Sequence, residues 1–154
     1  MADFTSDDER MLTTLLDTIL PPSADGRLPG AGSAALVRHV ASTVERMPML
    51  RTVVEYGLSG IGERARQRNP VGWDALSPDE RTTVVREFTA ENEFFLPGFL
   101  FLVYSGYYVD PAVVRTFGFE PRPPHPTGYA MEGEDLASLL EPVRRRGKMY
   151  RDIG

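Results

Sequence analysis

The chain has 154 residues, 42% of them hydrophobic and 25% charged, with a formal charge of −5 and no cysteine. That length supports one domain, residues 1–154, with its own core, and the composition excludes a disordered or fibrous protein. The acidic balance argues against nucleic acid as a partner, because such binding depends on Lys and Arg neutralising phosphates; the lack of cysteine removes disulfides and thiolate chemistry.

The first segment, MADFTSDDERMLTTLLDTILPP, carries acids where an export signal carries basic residues, and its apolar residues are spaced periodically. It reads as neither a secretory nor a twin-arginine signal. The location expected is cytoplasmic, or periplasmic if the chain is exported with a partner or already processed. Ser6 followed by Glu9 is a capping-box pattern, and Met11, Leu12, Leu15, Leu16, Ile19 and Leu20 form one helical stripe that Pro21-Pro22 ends. SADGRLPGAG then reads as a loop. Ser33 can cap a second helix carrying Leu36, Val40 and Val44 as far as Met47. A third helix starts near Pro48 and places Leu50, Val53, Val54, Gly57, Leu58, Ile61 and Ala65 at helical spacing before Asn69-Pro70. Gly57 and Gly60 within it suggest close packing. Ser77, Pro78 and Glu80 form an N-cap, first-position proline and N3 acid for a fourth helix through Val84, Val85 and Phe88.

The stretch FFLPGFLFLVYSGYY at 94–108 holds seven aromatic residues and no charge. It suits a membrane insertion, a core helix or a surface for another protein. The uncharged run at 94–109 falls short of the roughly 20 residues that span a bilayer, and it contains Pro97, Gly98, Ser105 and Gly106. The helix starts near Pro97 or continues the fourth helix with a kink there. Leu96, Phe99, Leu100, Val103 and Tyr107 make one apolar face, and Phe94, Phe101, Tyr104 and Tyr108 make a second. A helix apolar nearly all round is expected to be enclosed, with Phe99, Leu100 and Val103 at the centre of the core. Tyrosines favour interfaces, so Tyr104, Tyr107 and Tyr108 are expected toward a partner-facing side.

Asp110-Pro111 starts a short helix that Gly118 ends. A proline-rich loop at about 118–134 follows, then a short helix around Leu136, Leu139 and Leu140, then a basic tail at 143–154. Residues 144–152 carry five positive charges and one negative, which suits a solvated helix end or a salt-dependent docking tail. No segment alternates with period two, so the expected fold is all-α, an irregular bundle of six or seven helices.

The chain shows no GxGxxG or Walker glycine loop, and GAGS at 30–33 lacks the strand that would make it a phosphate turn. It has no HExxH, no Glu-x-x-His and no cluster of Cys and His, so no metal site is expected. His39 reads as a surface or packing histidine, His125 as a loop residue that could reach a neighbour's site, and Glu91 with Glu93 as a solvated pair. No serine has an evident base beside it. A self-sufficient catalyst is not expected, and no catalytic, cofactor-binding or metal residue is assigned.

In order, LLDTILPP at 15–22, LPGAGSA at 28–34, YGLSGI at 56–61, FFLPGFLFLVYSGYYVDP at 94–111, FGFEP at 117–121 and PTGY at 126–129 resemble the small-subunit family of gluconate 2-dehydrogenase, subunit 3. The resemblance implies a companion: a large FAD-dependent oxidoreductase of the glucose-methanol-choline type that oxidises a sugar, sugar acid or glycoside. It implies a non-catalytic small subunit that binds and stabilises the flavoprotein, with FAD in the partner and no cofactor here. A transient assembly chaperone for that flavoprotein is the alternative, and an independent small enzyme using His125 or His39 a further one. Candidate interface residues are Tyr104, Tyr107, Tyr108, His125, Tyr129, Arg144, Arg145 and Arg146. Neither nucleic acid nor direct membrane insertion is expected.

Overall fold

The computed structural model describes residues 4–122 and 136–147. The chain divides into two compact units, Met1–Pro121 and Arg122–Gly154. The first holds α1 (Ser6–Ile19), α2 (Ala34–Arg46), α3 (Pro48–Arg68), a 3-10 turn at Trp73–Ala75, α4 (Pro78–Glu91), α5 (Phe95–Tyr107) and α6 (Pro111–Thr116). The second holds α7 (Leu136–Arg145). There is no strand among the described residues, and the fold is all-α as the periodicity predicts. Most of the expected proline-rich loop, and the tail beyond residue 147, lie outside the described residues.

Local chemistry sets most helix starts. Ser33 Oγ accepts from Leu36 N at 3.1 Å, and Asp110 Oδ1 accepts from Ala112 N at 2.8 Å. At α4, Ser77 N donates to Glu80 Oε2 at 2.7 Å while Ser77 Oγ accepts from Glu80 N at 3.4 Å, so two otherwise orphaned amides are satisfied reciprocally. The first cap falls one residue earlier than expected. Thr5 and Asp8 form the box, with Asp8 N donating to Thr5 Oγ1 at 3.1 Å and Thr5 N donating to Asp8 Oδ2 at 3.0 Å. The sequence TSDDE offers two overlapping boxes, and the Thr-Asp one is formed instead of Ser6 with Glu9. α6 ends at Gly118, whose φ of 79° permits Phe119 N to reach Val114 O at 3.3 Å and Gly118 N to reach Arg115 O at 3.0 Å.

α5 is a new helix and not a kinked extension of α4. Asn92 ends α4, and Pro97 sits in the first turn of α5, where its missing N–H would have had no intrahelical acceptor. α5 packs against α2 and α3; α3 also packs against α4, and α1 lies across α2, α3 and α4. The closest approaches rely on glycine. A methyl at Gly57 would run into the ring of Phe95, and one at Gly60 into the ring of Phe88. These rings form a continuous stack: Phe88 meets Phe95 edge-on at 5.1 Å between centroids, and Phe95 meets Phe99 at 5.2 Å. Two ion pairs, Arg64 with Glu91 and Arg68 with Glu87, clamp the outer edge of α3 and α4.

The Gly57 contact gives a test whose sign is decisive. In an open helix Gly→Ala stabilises by about 1 kcal/mol. Overpacking a fixed ring costs about 1–3 kcal/mol. Gly57→Ala is therefore expected to lower the urea midpoint, and an equal or higher midpoint would show that the Phe95 ring can move aside.

Candidate functional site

α5 has two sides of similar chemistry and opposite surroundings. Phe95, Phe99, Leu102, Val103, Gly106 and Tyr107 are buried. Gly106 lets α2 approach so closely that a methyl there would strike Leu36 and the ring of His39. On the other side Phe94 is 88% exposed, Phe101 55%, Tyr104 44% and Tyr108 49%. Together with exposed Pro97 these positions step by three, four, three and four residues, the a/d spacing of a helix-packing seam. The nearest charged residues along the chain are Glu93 and Asp110, one at each end.

The exposed rings are held by their neighbours. Tyr108 lies 5.6 Å from Tyr104, 5.2 Å and nearly perpendicular to Tyr107, and 6.3 Å from Phe117. Tyr107 is itself fixed, since its hydroxyl donates to Pro29 O at 2.6 Å. Burial first, then Tyr108 and Asp110, raises its pKa above the ordinary 10.0, so the phenol remains a donor. At the other end of the seam Phe94 borders an apolar groove of about 600 Å³, lined also by Met49, Thr52, Val53, Tyr56 and Asn92.

Several expectations are corrected here. The helix is not enclosed all round: Phe94, Phe101, Tyr104 and Tyr108 face outward. Tyr107, expected on the partner-facing side, is only 5% exposed and turns inward to its Pro29 bond. Leu100, expected at the core centre, is half-buried, and Leu102 takes that place beside Phe99 and Val103. Tyr104 and Tyr108 lie on the surface as expected. Arg144, Arg145 and Arg146 are exposed at the end of α7 in the second unit, where Arg145 pairs with Glu141 at 3.1 Å. His125 and Tyr129 lie outside the described residues. The groove at Met49 and Tyr56 was not legible, because its walls come from α3 and from the α4–α5 junction, segments about 40 residues apart.

His39 is a packing residue between α2 and α5. Its Nε2 lies 3.0 Å from Ser105 Oγ, and Ser105 Oγ donates to Leu102 O at 3.0 Å, which assigns the imidazole as the donor to Ser105. Burial first, then the Arg46 cation, holds its pKa below the ordinary 6.5. The unfolded chain therefore takes up the proton first as pH falls. The His39 contribution to stability is complete above about pH 6.5 and is lost progressively below it. Between about pH 7 and pH 5.5 the thermal midpoint is expected to fall further in the wild type than in His39→Gln. Equal declines would assign the pH response to other groups.

Among the described residues no group of three or more His, Asp or Glu side chains is placed to hold a metal ion, and no helix is long and apolar enough to cross a membrane. An all-helical body that leaves an uncharged aromatic face open is unusual, since monomers rarely expose large contiguous apolar patches. The family described as Gluconate 2-dehydrogenase subunit 3 matches residues 6–122, and the chain belongs to that family. The family name is that of a dehydrogenase subunit, consistent with a small subunit of a dehydrogenase complex. Neither a curated protein nor a solved structure matches the chain significantly.

Proposed function

We propose that this chain is the non-catalytic small subunit of a dehydrogenase complex. It binds and stabilises a large FAD-dependent oxidoreductase that oxidises a sugar, sugar acid or glycoside, and the flavin and the chemistry belong to that partner. The observation that carries this reading is the open aromatic side of α5 in a chain whose family is named for a subunit. The His39–Ser105 pair supports it from the other direction, because both groups are engaged in helix packing.

A stable subunit is favoured over a transient chaperone by the character of the exposed side. Permanent interfaces are the more apolar class, resembling a core cut in half, and this side carries aromatic rings and no charge. Co-expression with the flavoprotein large subunit of the same host is expected to give a stoichiometric yellow complex with the absorbance of bound flavin. A colourless monomer at every concentration would sink the proposal. A large subunit that keeps full activity and stability after this chain is removed would favour the chaperone instead.

A further inference from the structure

The open seam of α5 has a geometry that restricts what can cover it. We infer that it takes a helix of the large dehydrogenase subunit, one with an apolar, uncharged face, laid along Phe94, Pro97, Phe101, Tyr104 and Tyr108. This rests on the subunit reading above and adds where the partner sits and what it presents.

The buried side of α5 uses Phe95, Phe99, Leu102 and Gly106, which step by four, three and four residues and pack against neighbouring helices. On the open side Pro97, Phe101, Tyr104 and Tyr108 repeat that stepping two residues further on, which is about half a turn round the helix. A strand or an irregular loop has no reason to meet a four-turn row of knobs at this interval, whereas a helix at a shallow crossing angle does. From 94 to 108 the row extends about 21 Å at 1.5 Å per residue, so a partner helix of about four turns fills it.

The seam is also rigid. Tyr108 is braced by Tyr104, Tyr107 and Phe117, and Tyr107 is anchored to Pro29. Braced aromatic rings lose little freedom on binding, the property that makes such residues binding hot spots.

Charge narrows the choice of partner. Glu93 and Asp110 bound the seam. A second copy of this chain lying along it sets carboxylate against carboxylate whether the two helices run parallel or antiparallel. An anionic bilayer surface meets the same two acids, where interfacial helices carry basic residues. The helix that fits has neutral or basic residues at its ends, and the family name points to another subunit of the dehydrogenase as the partner.

The test uses the full chain co-expressed with its large subunit, comparing wild type with Phe101→Asp and Tyr104→Asp. Both positions are exposed, so circular dichroism and thermal midpoint should match the wild type. Recovery of the large subunit is expected to fall about thirtyfold or more in each. Asp79→Asn, on the exposed first turn of α4, should leave it unchanged. A photoreactive phenylalanine analogue at position 101 should cross-link to the apolar face of a helix in the large subunit. Wild-type recovery with both Asp variants, alongside an intact wild-type complex, overturns the seam while leaving the subunit reading in place. Cross-linking to a second copy of this chain also overturns it. Failure of the wild type itself to form a complex overturns both.

Discussion

The bundle turns on two phenyl rings set against a helix that has no side chains beneath them. Phe88 from α4 and Phe95 from α5 occupy the spaces left by Gly60 and Gly57 on α3, and Gly106 grants α2 the same closeness further along the buried side of α5. These contacts do more than bring helices together. A helix that is apolar on every side has no preferred rotation about its axis from hydrophobicity alone. The glycines supply one, because only one rotation puts Phe95 over Gly57 and Gly106 against Leu36 at once. That rotation decides which rings are left facing water. The open aromatic face is thus a consequence of how the core closes.

The same reasoning explains what could be read beforehand. Ser33, Ser77-Pro78-Glu80 and Asp110-Pro111 announce helix starts because capping is a local reaction between a side chain and amides two or three residues away. TSDDE was ambiguous by one residue for the same reason, since two local boxes overlap. Tyr107 could not be told from Tyr104 or Tyr108 by periodicity, which has no contrast to work with in a run lacking polar residues. What separates Tyr107 is the carbonyl of Pro29, 78 positions earlier. Gly57 and Gly60 did signal close packing, though not which rings would fill the space. The exposed seam was present in the sequence as a second apolar face, and its tyrosines pointed to Tyr104 and Tyr108 as surface residues, but nothing local marked Phe94 and Phe101 as open.

The extent of the family match agrees with the architecture. It covers residues 6–122, and the first compact unit ends at Pro121. The family match therefore spans the helical body, α5 included, while α7 lies beyond it. Leu139, Leu140 and Val143 on α7 are exposed and followed by arginines, so the second unit carries an amphipathic segment of its own. A ten-residue helix is marginal in water by itself, which sets it apart from the body in how its folding is supported.

The segment between α1 and α2 has a further consequence, one that concerns time. Its backbone is held by Asp17, which accepts from Gly32 N at 2.7 Å, and by Tyr107, which donates to Pro29 O. One tether comes from a helix that adjoins the segment and the other from a helix formed most of the body later in the chain. The Asp17 tether and the bond from Ala31 N to Leu20 O at 3.0 Å need only α1, whereas the Tyr107 tether needs α5, made some 78 residues later. Full fastening of this segment therefore depends on the docking of the helix that bears the open seam.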